Sequence, residues 1–289
     1  VDVTAQLYTG SALSSSGSMN ITDRIITPTK LEYKQTFLQE SLRSARFNRS
    51  MSPGAWNIES NEFASTVLAM VGPNVSQDAE SLFWGGITAA TKAAIAGLTP
   101  GAGQGSMTAA TQTAVAALTA GLVDGVFAKV LYDESALGGY IKVTGTTVTA
   151  SNIAAECAKI FAAIPAENLN DTVSPTVIYA PRAWKQLCYN ANNAVGAAQQ
   201  INFQIDGNNF NTSRVFYNGI ELLFVPAPNN LMAYAQRKAA VSWNTDLTDD
   251  VNRFEVGKLV NDGDVQFVRS IYTLAANVGQ ATKGVLYGG

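Results

Sequence analysis

Residues 151–187 read SNIAAECAKIFAAIPAENLNDTVSPTVIYAPRAWKQL, and their order decides the fold class. Ile153, Cys157, Ile160, Phe161 and Ile164 recur at helical spacing behind Ser151, which stands where an N-cap belongs. Pro165 closes that helix, because the residue before a proline avoids helical backbone. Residues 176–180, TVIYA, form the short unbroken apolar run expected of a strand buried on both faces. Pro181 then opens a second helix over residues 182–190.

Downstream, the pattern is mostly strand. Residues 215–217 and 220–225 flank Asn218-Gly219, a pair that tolerates positive φ and predicts a type I′ hairpin. Residues 231–235 read as another strand. Residues 254–260 and 265–274 form a long hairpin about Asn261-Asp262-Gly263, and residues 285–287 add an edge strand. Just upstream of the opening stretch, residues 140–143 and 146–149 read as a hairpin about Thr144-Gly145.

Further upstream, the pattern is helical. Phe63, Val67, Leu68 and Val71 form a stripe that Gly72-Pro73 ends. Ser76 reads as the N-cap of the next helix, with Asp78 and Glu80 in its first turn. Ala79, Leu82, Phe83, Ile87 and Ala90 carry that helix to about Ile95. Residues 100–108, PGAGQGSMT, are a Gly-rich link; no Gly-Lys-Ser/Thr follows, so it is not a phosphate-binding loop. One more helix places Val115, Leu118, Leu122, Val126 and Val130 on one face. Residues 21–49 read as an extended piece passing into a helix, and residues 1–20 as an unpatterned polar arm. Helices first, then mixed elements, then strands make an α+β protein, not a repeating βαβ one.

The 289 residues are 47% hydrophobic but only 14% charged, against about 25% in ordinary soluble domains. Polar positions are filled by Ser, Thr, Asn, Gln and Gly, which hydrogen-bond without the desolvation cost of a charge. Such a surface fits a subunit that assembles with copies of itself. The chain has no histidine, which excludes Ser-His-Asp triads, Cys-His dyads and His-ligated zinc within it. Two cysteines, Cys157 and Cys188, cannot build a disulfide framework, and both lie on apolar stripes as structural thiols. The net charge of -3 argues against a free-standing nucleic-acid binder.

The densest acidic cluster is Asp246, Asp249 and Asp250, whose spacing fits a turn and not an EF-hand. Without histidine, a lysine nucleophile is the other open route, with Lys159 and Lys185 as the helical candidates. Residues 191–213 read as a long polar, Asn-rich loop with strand-like fragments, of a functional or interfacial kind. No constellation supports a catalytic, cofactor or metal site.

The run from Ser151 through Leu187 resembles the start of the axial domain of tailed-phage major capsid proteins, the Hong Kong 97-like fold. VFYNGIELLFVPAPNN (215–230) resembles that domain's later hairpin, and residues 241–288 its closing peripheral strands. ITDRIITPTKLEYKQTFLQESL (21–42) resembles the extended loop, and SQDAESLFWGGITAATKAAIAGL (76–98) the spine helix and its link. The sequence departs from the family in a short extended loop and a helical insertion at 101–135.

The resemblance implies an N-terminal arm over 1–20 and an extended-loop region over 21–50. It implies a peripheral domain over 51–145, an axial domain over 146–240 and closing peripheral strands over 241–289. It implies a mature major capsid protein without catalysis or cofactors, assembling with itself as pentamers and hexamers around double-stranded DNA in the virion. Portal and decoration proteins would be further partners, and no membrane is involved. The start at Val1 fits removal of an N-terminal segment. The arm and residues 21–40 would reach neighbouring subunits, and residues 191–213 would face the capsomer centre. Some family members crosslink through a Lys-Asn isopeptide bond, and Lys30 or Lys34 would lie in the corresponding loop, but no asparagine or activating acid matches as partner. Rival readings are an encapsulin-type compartment, a tail-tube or surface-layer subunit, and a glycosidase acting through Asp246 or Asp249.

Overall fold

The structure, a computed structural model, describes residues 26–38, 61–97, 108–132, 140–194, 203–207, 209–245, 253–259, 262–279 and 283–288. The expected arm at 1–20, the Gly-rich link up to residue 107 and the Asp246–Asp249–Asp250 cluster lie outside them. In chain order the elements are β1 (Thr29–Leu38), α1 (Asn61–Gly85), α2 (Ala89–Ala96), α3 (Ala109–Ala116), α4 (Val126–Tyr132) and β2 (Ile141–Thr144). Next come α5 (Ile153–Ala163), α6 (Ala166–Leu169), β3 (Thr176–Pro181), α7 (Arg182–Ala194), β4 (Gln204–Asp206), β5 (Arg214–Tyr217) and β6 (Ile220–Val225). The chain finishes with β7 (Met232–Arg237), β8 (Val241–Asn244), β9 (Arg253–Leu259), β10 (Asp262–Val278) and β11 (Val285–Gly288).

Two sheets organise these elements. The larger runs β2-β11-β7-β3-β6-β5-β4 and is mixed, with β2–β11 and β3–β6 parallel. β3 lies near its middle and every residue of it is buried, the reason its sequence is an unbroken apolar run. Ile178 and Ala180 face α5 and α7, in a core with Cys157, Ile160, Trp184 and Cys188. Val177 and Tyr179 face the other way, into a core shared with Phe83, Phe127 and Leu131. In the smaller sheet, the long strand β10 pairs with β1 along one edge and with β9 and β8 along the other. Val268, Tyr272, Leu274, Ala276 and Val278 alternate towards α1, whose Val71, Val75, Ala79 and Phe83 form the facing stripe.

Local chemistry predicted several elements correctly. The β5–β6 hairpin turns at Asn218 (φ 47°) and Gly219 (φ 81°), the two positive values a type I′ turn needs. α5 buries Ile153, Cys157 and Ile160, and Ile164 leaves the helix at ψ 127° before Pro165.

Other expectations are corrected. α1 runs through Gly72-Pro73, and Ser76 lies inside it instead of capping a new helix. Val71, Val75 and Ala79 keep one buried stripe across the proline, whose ring is exposed, so packing outweighs the missing backbone donor. α1 stops at Gly85 and not near Ile95. Gly125 N donates to Gly86 O, and Gly121 N donates to Ile87 O. This short backbone ladder takes residues 86–88 out of the helix, and it splits the expected 115–130 helix into α3 and α4, leaving Leu122 exposed. Ser151 does not cap α5; Asn152 is the cap residue and spends its side chain on Thr149 N.

β2 makes no hairpin with residues 146–149. It pairs in parallel with β11, because Gly145 leaves room only for the Tyr287 ring. β11 is therefore an interior strand, between β2 and β7, and not an edge. α7 extends to Ala194, so the first four residues of the expected 191–213 loop are helical. Residues 29–38 are strand throughout, and the helix expected to follow lies outside the described residues.

Candidate functional site

The most concentrated chemistry among the described residues surrounds Glu156, which is only 4% exposed. α5 carries it on the same face as Ile153 and Ile160. Its carboxylate accepts from Thr146 Oγ1 at 2.9 Å, from Lys159 Nζ at 2.9 Å and from Tyr287 OH at 2.8 Å. Burial pushes its pKa up, but the hydrogen bonds from Lys159, Tyr287 and Thr146 outweigh this and hold it below the ordinary 4.5. The same hydroxyl lies 3.0 Å from Thr146 O, so its single proton is shared between the two acceptors. The buried partners clamp β11 to α5, and Lys159 closes the carboxylate from the solvent side. Sequence reading passed over Glu156, although its position three residues after Ile153 was the available signal.

The sequence-derived candidates do not converge. Lys159 is held by Glu156. Lys185 donates to Ser213 O at 3.0 Å and sits 5.2 Å from the Phe210 ring centre, a structural anchor. Cys157 and Cys188 are fully buried and free. Burial raises the Cys157 pKa to about 12 and pushes Cys188 upward as well, so neither is a nucleophile. Lys30 and Lys34 lie exposed on β1. Among the described residues no three metal-ligating side chains gather, and no helix is long and apolar enough to cross a membrane.

What remains is surface. On one flank of α1 a cavity of about 420 Å³ opens between Leu31 and Tyr33 of β1, Leu82, and Leu122, which is 72% exposed. On the other flank a cavity of about 320 Å³ lies between Val75 and Ala79 of α1 and Trp243, Phe254 and Tyr272 of the sheet. The sheet's outer face carries a charge ladder across three strands: Arg269 Nε lies 2.8 Å from Glu32, and its Nη1 3.8 Å from Glu255. Shallow apolar grooves beside paired charges suit contact with another protein surface and give no enclosed site for chemistry.

No protein-family model matches the chain, and no curated protein matches it. Among solved structures it is similar to a chain of the satellite phage P4 procapsid that includes the size determination (Sid) protein. The identity is 11%, the TM-score 0.52, and the match covers 100% of this chain and 81% of that one. A chain from Microbacterium phage Oxtober96 aligns at 12% identity and TM-score 0.46, over 91% of this chain and 73% of that one. One from Mycobacterium phage Ogopogo aligns at 12% and 0.46, over 96% and 82%. At such identity the likeness is one of fold, and by that measure the chain shares its fold with a chain of the satellite phage P4 procapsid.

Proposed function

We propose that the protein is the major capsid protein of a tailed double-stranded DNA phage, with the Hong Kong 97-like fold. It would assemble with itself as pentamers and hexamers of an icosahedral head shell, and its place is the virion. The observation that carries this reading is the fold match to the P4 procapsid chain along the whole length. The low charge of 14% and the apolar grooves flanking α1 support it, as surfaces that neighbouring subunits would cover.

In this reading the seven-stranded sheet with α5 and α7 is the axial domain. The axial domain then takes β2 and β11 in addition to residues 146–240. α1 is the spine helix, and the smaller sheet is the peripheral domain. The role is structural: each contact is modest, and closed symmetry multiplies it. No catalysis, cofactor or metal is part of it, and portal and decoration proteins would be its other partners.

Negative-stain electron microscopy of the purified protein tests the proposal, with nuclease protection on the same sample. Closed icosahedral shells that protect DNA are the expected result. Tubes, sheets or a persistent monomer of 30.5 kDa would reject it.

A further inference from the structure

β1 ends the smaller sheet. Its 10 residues pair with β10 in one unbroken register, from Thr29 opposite Leu274 to Leu38 opposite Val265. Among the described residues β10 is its one strand partner. The other edge of such a strand turns a row of backbone donors and acceptors outward, a template for one more strand. Bulges, prolines and lysines guard edges of this kind. β1 has no bulge and no proline, and Glu32 stands between its two lysines, Lys30 and Lys34. The cavity of about 420 Å³ shows that the edge is open. Leu31 and Tyr33 line it from the face towards α1, and Glu32 lines it from the opposite face. A space bounded by both faces of one strand lies along the edge of that strand. Its far wall is Leu82 of α1 and Leu122, which is 72% exposed. Further along, Gln35 faces the same way as Leu31 and Tyr33 yet is exposed.

Charge selects the occupant. On the outer face Lys30, Glu32 and Lys34 are all exposed. Lys34 stands directly opposite Arg269 in the register, and Arg269 lies 2.8 Å from Glu32. Like charges placed opposite each other repel, and among the described residues no acid pairs with Lys34. A second copy of β1, laid antiparallel about a two-fold axis through Tyr33, supplies that acid. It sets the partner's Glu32 opposite Lys34 and the partner's Lys34 opposite Glu32. Moving the axis one residue either way sets Glu32 or Lys34 against itself, so the charges also fix the register. The axis stands normal to the sheet and keeps inward faces together. The partner's Tyr33 and the partner's Gln35 then lie over the cavity beside Leu31 and Tyr33.

We propose that two copies of this chain join edge to edge at β1, as an antiparallel pair centred on Tyr33, so that one sheet runs through both. The contact is isologous, with main-chain bonds giving it strength and the Glu32–Lys34 pairs its register. The inference stands on the open edge and its charge pattern and does not depend on the shell reading.

Oxidative crosslinking tests it. Tyr33→Cys places one thiol on the axis, and copper(II)–phenanthroline in air oxidises two such thiols to a disulfide when the strands pair in this register. Native Cys157 and Cys188 are buried and take no part. The expected result is a disulfide-linked dimer from Tyr33→Cys on a non-reducing gel. Lys30→Cys, which the register holds far from its own copy, should give at least about tenfold less. Adding Glu32→Lys or Lys34→Glu alone to Tyr33→Cys should lower the yield. Adding both should restore it, because the charges then exchange places. No dimer, equal yields from the two cysteines, or a double swap that fails to restore the yield overturns the pairing. Hydrogen exchange on the unsubstituted protein covers the case of a variant that fails to fold. As protein concentration rises, alternate amides of β1 should slow by at least about tenfold while those of β4, at an edge of the larger sheet, stay constant; β1 amides that ignore concentration reject the pairing. Shells that assemble without the crosslink overturn this inference and leave the shell reading standing, whereas crosslinked dimers from a protein that builds no shell support the pairing alone.

Discussion

The hydroxyl of Tyr287 donates to the carboxylate of Glu156 at 2.8 Å, joining β11 to a helix 131 residues earlier in the chain. Both side chains are buried, and Lys159 and Thr146 complete the carboxylate's shell. Tyr287→Phe keeps the ring against Gly145 and Trp184 but removes the one proton that Glu156 and Thr146 O share. The expected cost is about 1–3 kcal/mol, read from urea unfolding. No loss would mean that the clamp is not a stabilising contact.

The same carboxylate sets an acid limit. Its folded pKa lies below the ordinary 4.5, so its contribution to stability is complete above about pH 4.5 and is lost as pH falls through the folded value. Thermal melts taken from pH 6 downward should fall more steeply below about pH 4.5 in the parent than in Glu156→Gln, which cannot titrate. Parallel curves would remove Glu156 from the account.

Gly86 and Gly125 should resist substitution. A Cβ on Gly86 would sit 2.5 Å from Leu82 O and Val123 O, and one on Gly125 2.6 Å from Leu82 O and Phe83 O. Alanine at either position is expected to destabilise by about 1–3 kcal/mol. Gly97→Ala is the contrast: its nearest neighbour would be 3.5 Å away and its backbone is already right-handed, so it should be neutral or slightly stabilising. Equal effects at all three would contradict the close approach of residues 86 and 125.

Pro73 lies inside α1 with its ring exposed. Pro73→Ala restores the missing backbone donor and should stabilise the protein by up to about 3 kcal/mol. A melting temperature that stays constant or falls would show that the helix is already adapted to the proline.

Cys157 and Cys188 should ignore a thiol reagent in the native state and both react after unfolding in denaturant, since burial raises the thiol pKa and blocks access. Native labelling of either would mean that the α5–α7 core opens readily.

What could be read from the sequence was local. The Asn218-Gly219 turn, the α5 stripe and the buried run of β3 each depend on a few adjacent residues. The cap at Asn152 and the passage of α1 through Pro73 were misread locally, whereas the larger failures share one cause, a distant partner. β2 pairs with a strand near the other end of the sequence, so Thr144-Gly145 looked like a turn. The break after Gly85 is imposed by backbone bonds to residues 121–125, which no periodicity records. Glu156 was hidden because a charge on a helix ordinarily signals a solvated face. The carboxylates that drew attention, Asp246, Asp249 and Asp250, lie outside the described residues, and the surfaces that matter more have no motif at all.

The placement of β11 has a consequence for synthesis. Ile141 finds its partner only when Val285 has left the ribosome, and β7 waits for Tyr287 and Leu286 on the same flank. At ordinary elongation rates that delay is on the order of ten seconds. Once β7 has emerged, the place of β11 is an open slot between β7 and the edge strand β2. A nascent chain in that condition lacks the finished sheet, so under the proposed shell function it would become competent to join others only after β11 is in place.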